Sequence, residues 1–295
     1  MSYREFAPPK PLAHVIECVW TRLPDPAPII NNEAAQQGRE PVTHAILPDG
    51  AMDIISTYHP DGELDETFVV GSMTQPQRAT LGNDALVGIR FLPGVGGTAL
   101  GTNATAFTDG QIAIDDVLQN TAGIRDAFRA LQLNAGSAHA LHLFANSVGM
   151  EHRSVPTIVR QAAKRLGEYS VPVRVEQVAK ELGVTRQHLA RLFSAHSGLT
   201  PKLFAQICRV RAVLAIVQSR VAILPGRNAT KLHKNLPRKI GVSDDSWSQL
   251  SAEFGYVDQS HLIAEVHAII GQTPAAWQAA AGSNIPIVPV PVAPL

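Results

Sequence analysis

Two stretches near the end of the chain say the same thing twice: Gly183–Phe204 reads GVTRQHLARLFSAHSGLTPKLF, and Gly255–Trp277 reads GYVDQSHLIAEVHAIIGQTPAAW. Gly183 answers Gly255, His188-Leu189 answers His261-Leu262, and Gly198-Leu199-Thr200-Pro201 answers Gly271-Gln272-Thr273-Pro274. The second copy is one residue longer just after its first glycine. Each first glycine joins two short amphipathic stretches. That is the layout of a helix-turn-helix, whose second helix can enter a DNA major groove. Two aligned copies arise by chance far less readily than one, so this repeat decides the reading.

In the first copy Val178, Ala179 and Leu182 are expected to face inward from the leading helix, with Val184 plugging the corner. Gly183 supplies the left-handed turn, and Thr185 is a good N-cap for the next helix. Leu189, Leu192 and Phe193 then turn inward, leaving Thr185, Arg186, Gln187, His188 and Arg191 as the candidate DNA contacts. Arg and Gln can make the paired base-edge hydrogen bonds that distinguish guanine and adenine. In the second copy Leu250, Ser251 and Phe254 face inward, Gly255 and Tyr256 form the corner, and Asp258 is the N-cap. Leu262, Val266 and Ile269 are core. Gln259, Ser260, His261, Ala264 and Glu265 are read as lying on or near the outer face, with the first three as candidate DNA contacts. Both copies end Gly-x-Thr-Pro, where threonine caps a following helix and proline occupies its first turn.

The net charge of zero conceals an asymmetry. Residues 1–150 carry 8 Lys+Arg against 16 Asp+Glu, and residues 151–295 carry 17 against 9. An acidic module joined to a basic one suits a polyanion partner for the second, drawn by phosphate attraction that salt weakens. At 295 residues the chain has room for two cores. We divide it as 1–150 for effector sensing or dimerisation, 155–280 for DNA binding, and 281–295 as a disordered, proline-rich tail. The two cysteines, Cys18 and Cys208, form no disulfide framework. There is no apolar leader and no run long enough for a membrane span, so a cytoplasmic protein is expected.

The first hundred residues read as β-rich. Thr43–Leu47 and Met52–Thr57 flank the turn signal Pro48-Asp49-Gly50, followed by strands at Thr67–Val70 and Leu86–Phe91. Helical periodicity starts near Asp115, with Val117, Leu118, Ile124, Phe128 and Leu131 on one face, and further helices are expected at Ala138–Val148 and Val155–Leu166. The fold class is α+β: an N-terminal small antiparallel barrel or sandwich with helices, then an all-α domain holding the two helix-turn-helix units.

The repeat closely resembles the AraC/XylS family of bacterial transcription regulators over about Arg174–Trp277. It carries the family's Gly-(aromatic)-x-Asp-Gln-Ser-His-Leu element at Gly255–Leu262 and its Gly-x-Thr-Pro at Gly271–Pro274. The resemblance implies two units in successive major grooves of promoter double-stranded DNA. A linking helix over Pro201–Gln218 would join them and bring Arg209 and Arg211 to the DNA. It also implies RNA polymerase as a partner and activation as the commoner outcome. Two departures stand out. Ala264 occupies a position usually basic in the family, and residues 219–246 form a long connection rich in Lys and Arg, which we read as a solvated insertion in preference to an added phosphate-binding arm.

Leu47-Pro48-Asp49-Gly50 with Asp53, Val70-Gly71 and Gly88–Gly94 resemble the N-terminal domain of an uncharacterised AraC-type subgroup, which implies a cupin-like barrel that binds a small-molecule effector or dimerises. The candidate effector contacts are Arg90 and His44. Arg90 has the alternative of pairing with Asp49 or Asp53 to brace the barrel. The apolar faces of residues 115–148 are compatible with a homodimer. No catalytic constellation, metal site or cofactor motif is read. His44, Asp49, Asp53 and His59 match no tight ligand spacing, Gly94-Val95-Gly96-Gly97 lacks a phosphate-binding context, and neither cysteine has a recognisable reactive setting. The rivals are a cupin-type metal enzyme and an interaction protein with degenerate DNA binding, for which Ala264 and the insertion are the evidence.

Overall fold

The computed structural model describes residues 2–23, 42–81, 84–168, 173–221 and 245–281. The expectations for residues 25–41, for most of the 219–246 insertion and for the tail fall outside them.

The chain is α+β. Among the described residues eight strands come first: β1 (Ser2–Phe6), β2 (Ile16–Leu23), β3 (Val42–Ile46), β4 (Asp53–Tyr58), β5 (Leu64–Val70), β6 (Gln77–Leu81), β7 (Ala85–Phe91) and, after the short helix α1 (Gly96–Leu100), β8 (Gln111–Ala113). Then follow α2 (Ile114–Val117), α3 (Ala122–Leu133), α4 (Ala138–Ser147) and α5 (Thr157–Gly167). The repeat supplies α6 (Val175–Glu181), α7 (Arg186–Ser197), α8 (Pro201–Val221), α9 (Asp245–Glu253), α10 (Gln259–Ile270) and α11 (Pro274–Ala281). Among the described residues no helix is long and apolar enough to cross a membrane.

The strands do not close into the cupin-like barrel that the resemblance implies. Six make one antiparallel sheet in the order β1-β2-β7-β4-β5-β8, and β3 and β6 make a separate two-stranded sheet. The turn at Pro48–Gly50 therefore closes no hairpin: β3 pairs with β6, while β4 lies between β5 and β7. The cause is visible in β4 and β7, which bury both faces along most of their length, with Ile54, Ile89 and Phe91 fully enclosed. Such strands need layers on both sides, and here α3 and α4 cover one of them. Phe128 and Phe144 meet edge to face, and Phe144 also meets Phe91.

The single periodic helix expected from Asp115 is two. Leu118 adopts an extended conformation after α2, and the chain restarts as α3. Ile124, Phe128 and Leu131 are fully buried on α3, whereas Val117 and Leu118 are only partly so.

The helical half is not a separate globule. Buried side chains form one continuous cluster from Leu12 to Trp277. The joint is made at the end of α7 and along α8. The Ser72 hydroxyl donates to the Ser197 carbonyl at 2.6 Å, and the Thr108 hydroxyl donates to the Gly198 carbonyl at 2.8 Å. Thr98 Oγ1 and His196 Nδ1 share a hydrogen bond of 2.6 Å. Gly97 is required here by close approach: a Cβ would stand 2.8 Å from the Ala195 carbonyl oxygen and 2.9 Å from that of Thr102. The Gly94–Gly97 run thus lets α1 pack against α7.

Candidate nucleic-acid interface

The two copies of the repeat fold with the same local chemistry. In the first, Gly183 takes φ 70°, and the Val184 amide reaches back to the Ala179 carbonyl at 2.9 Å. In the second, Gly255 takes φ 67°, and the Tyr256 amide reaches the Ser251 carbonyl at 2.8 Å. These bonds satisfy helix-end carbonyls that would otherwise be orphaned. The Thr185 hydroxyl then caps α7 by accepting from the His188 amide at 3.1 Å, and Asp258 caps α10 by accepting from the His261 amide at 2.8 Å. Gly198 and Gly271 end the two helices in the left-handed conformation. Thr200 and Thr273 cap α8 and α11, each accepting a backbone amide at 3.2 Å.

The inward sets are those expected. Val178, Ala179, Leu189 and Phe193 are buried in the first pair, with Leu182, Val184 and Leu192 half-buried. Leu250, Ser251, Phe254, Tyr256, Leu262, Val266 and Ile269 are buried in the second. On α7, Arg186, Gln187 and Arg191 are exposed together with the cap Thr185, and His188 is half-buried. Arg186 Nε stands 3.1 Å from Glu176 Oε1 in an ion pair that is more than half exposed on both sides. Such a pair exchanges cheaply for another anion. On α10, Ser260, His261 and Ala264 are exposed, while Gln259 is half-buried and accepts the Ser248 hydroxyl at 3.1 Å.

Three expected positions are corrected. Glu265 does not lie on the outer face; it is buried, with only 5% of its side chain exposed. Arg209 binds it through Nε at 2.9 Å and Nη2 at 2.6 Å, Gln206 donates at 3.0 Å, and the Tyr256 hydroxyl donates at 3.0 Å. The Arg209 guanidinium also lies 4.2 Å from the centre of the Tyr256 ring. Arg209 is therefore spent tying α8 to α10, not displayed to a groove. Arg211 points into the joint with the sheet half, where Nη1 donates to the Asp49 carbonyl at 2.8 Å. Both arginines turn inward because α8 is packed on several sides, against α5, α7, α10 and α11.

Sequence reasoning missed Glu265, although the repeat carried a signal. Aligning His188 with His261 sets Glu265 against Leu192, so a carboxylate occupies a place that is half-buried and apolar in the first copy. A charge on such a face needs a buried partner, and Arg209 is the one the fold provides.

In the sheet half, Arg90 braces the core. Its Nε stands 3.2 Å from Asp53 Oδ1 and its Nη2 3.4 Å from Asp49 Oδ2, while Trp20 Nε1 donates to the same Asp53 oxygen at 2.7 Å. Burial opposes the charge on Arg90, but the two carboxylates more than offset it, so its pKa rises. Arg90 is thus occupied by its own carboxylates. His44 lies on β3 opposite Ala79, on a different sheet from Asp53. His59 pairs with Asp65 at the surface, 3.5 Å away. Asp49 and Asp53 thus meet on Arg90 while His59 pairs elsewhere, and among the described residues no group of three metal-binding side chains assembles. Burial pushes the Cys208 thiol up to about 12 and raises that of Cys18 as well, which leaves little thiolate at either. An open cleft of about 530 Å³ sits between α1 and the end of α7, lined by Thr98, Thr102, Asn103, Arg153, Ser154 and His196 among others.

Residues 4–113 match the model of a domain of unknown function, DUF6597. The match covers less than half of the chain and stops at the end of the strands. No curated protein matches. Among solved structures the chain is similar to ToxT from Vibrio cholerae O395, at 9% identity and a TM-score of 0.38, over 80% of this chain and 95% of that one. It is also similar to ToxT from strain SCE256 bound to an unsaturated fatty acid, at 8% identity and a TM-score of 0.38 over 81% and 91% of the two chains. A third similar structure is O395 ToxT bound to (E)-4-(8-methylnaphthalen-1-yl)but-3-enoic acid, at 8% identity and a TM-score of 0.40 over 95% and 100%. Likeness at this level transfers no activity.

Proposed function

We propose that the chain is a cytoplasmic, sequence-specific DNA-binding transcription regulator of the AraC type that acts on promoter DNA, more in the manner of an activator than of a repressor. The observation that carries this reading is the duplicated helix pair. Both copies share turn, N-cap and terminal Thr-Pro cap, and each presents the start of its second helix to solvent. On α7 the exposed set Arg186, Gln187 and Arg191 suits purine edges and phosphates. The linking helix α8 has 21 residues, which is about 31 Å of helix at 1.5 Å per residue. Successive major grooves on one DNA face are about 34 Å apart, a comparable length. Arg209 and Arg211 belong to this reading as positioning residues, one fastening α10 to α8 and the other fastening α8 to the sheet half.

In this reading residues 1–150 sense or dimerise, and 155–280 bind DNA. The open cleft beside α7 is the seat we assign to a small effector, because its walls come from both halves. Filling it with Thr102→Trp is expected to abolish any effector-induced rise in melting temperature without changing DNA affinity in the absence of effector.

The test of function is fluorescence anisotropy of the whole protein on the duplex upstream of its own gene and on a scrambled duplex, from low to physiological salt. Binding that survives added salt only on the native duplex is expected. Equal and salt-sensitive binding to both would overturn sequence specificity, since phosphate attraction alone behaves that way.

A further inference from the structure

The second copy of the repeat is one residue longer than the first, and the fold puts that residue in an unusual place. Val184 plugs the first corner, half-buried. In the second corner Tyr256 does this, buried and edge-on to His261 at 5.3 Å. The additional residue, Val257, is turned outward, 88% exposed, immediately before the N-cap of α10. Its position is held, since its amide faces His261 Nδ1 at 3.5 Å. Among the described residues, one other large apolar side chain is this open, Leu133 at 89%, with Leu23 about half as exposed, and both lie in the sheet half.

The outer face of α10 continues the theme. Ser260, Ala264 and Ala268 are all exposed. Their spacing of four sets them in one stripe. The aligned positions on α7 are Gln187, Arg191 and Ala195. Where the first helix offers an amide and a guanidinium, this stripe offers a hydroxyl and methyl groups, with the isopropyl of Val257 just before the helix and the exposed imidazole of His261 beside it. A small apolar surface has one natural partner in a major groove, the C5-methyl group of thymine, because the other base edges there present polar donors and acceptors.

Resting on the DNA-binding reading above, we infer that α10 reads thymine methyl groups, with Val257 and Ala264 as specificity-determining residues. The operator is then chemically asymmetric. The segment under α7 is recognised by hydrogen bonds to purine edges, and the segment under α10 by contact with thymine methyls.

The experiment starts with the full-length protein selecting from random-sequence duplexes at physiological salt. The segment whose preference relaxes in Arg186→Ala is assigned to α7, and the other to α10. Each thymine of the selected duplex is then replaced by deoxyuridine, which removes only the methyl group. A loss of about fourfold per contacted thymine is expected in the α10 segment, the worth of one buried methylene-sized group. That loss should vanish at one position in Val257→Ser and at another in Ala264→Ser. Both side chains lie on the surface, outside the buried core, so neither substitution threatens folding. Uracil that is silent in the α10 segment, or equally costly in the variants and the parent, would overturn the inference while leaving DNA binding intact. If no duplex is enriched, the DNA-binding reading itself falls and the inference with it.

Discussion

The two helix pairs share a turn and differ in what holds them. The first is fastened from behind: the carbonyls of Ser197 and Gly198, at the end of α7, receive hydroxyls from Ser72 and Thr108 of the sheet half. The second is fastened from within, by Glu265 on α10 clasped by Arg209 and Gln206 of α8 and by Tyr256. The first pair can therefore respond to whatever happens in the sheet half, whereas the second follows α8. Local sequence similarity sets the shape of a helix pair, and long-range polar contacts decide what it is mechanically part of.

The sharpest way to break this contrast is to cut the inner clasp. Arg209→Ala leaves the Glu265 carboxylate buried without its cation, and a loss of ~3–5 kcal/mol in unfolding free energy is expected by urea titration. Replacing both residues by apolar ones of similar volume should cost much less. Equal losses in the single and double variants would show that the ion pair is not what anchors α10.

Next in size is a pH effect confined to the sheet half. Burial pushes the Glu17 carboxyl up to about 7, against an ordinary value of 4.5. The folded protein then holds this proton where the unfolded chain has lost it. Stability should fall as pH rises from about 4.5 to 7 and level off above, by on the order of 3 kcal/mol at most. Urea titrations of the parent and Glu17→Gln at pH 5 and 7.5 check it, since the variant should lack that slope.

The DNA-facing contrast is of similar or smaller size. Arg186→Ala should cost ~1–3 kcal/mol on the cognate duplex and relax preference at one base pair. Arg211→Met should leave the salt dependence of binding unchanged, because its guanidinium is turned to the Asp49 carbonyl. A reduced salt slope in Arg211→Met would mean that this arginine does reach phosphate. The smallest expected effects are the caps. Thr185→Ala and Asp258→Ala should each cost ~1 kcal/mol in stability, and a marked inequality between them would show that the two turns are less alike than their hydrogen bonds indicate.

What was legible in the sequence was local. The left-handed glycines, the two N-caps and the Thr-Pro caps are set within four residues of chain, so the residues themselves announce them. The clasp of Glu265 by Arg209 spans 56 residues, and nothing near Arg209 distinguishes it from a DNA-facing arginine. The sheet failed for the same reason. β2 reads IECVWTRL, buried along most of its length with no alternation to mark it, and barrel and sandwich cannot be told apart from the pattern because strand order is not written in any one strand. Arg90 was legible in part, since a cation at the end of an apolar strand calls for the carboxylates it does find in Asp49 and Asp53.

The seam between the halves has a consequence for how such proteins can be recombined. Phe204 of α8 is fully enclosed, and its ring lies so close to Gly50 that a Cβ there would stand 2.8 Å away. An aromatic ring thus occupies a space that only a glycine leaves open, on a chain 154 residues earlier in the sequence. Moving the helical half onto a sheet half that lacks this glycine would carry the ring without its recess. Productive chimaeras should therefore be those that inherit the Pro48–Gly50 turn together with α8, and the two halves should change over time as a matched pair rather than as interchangeable parts.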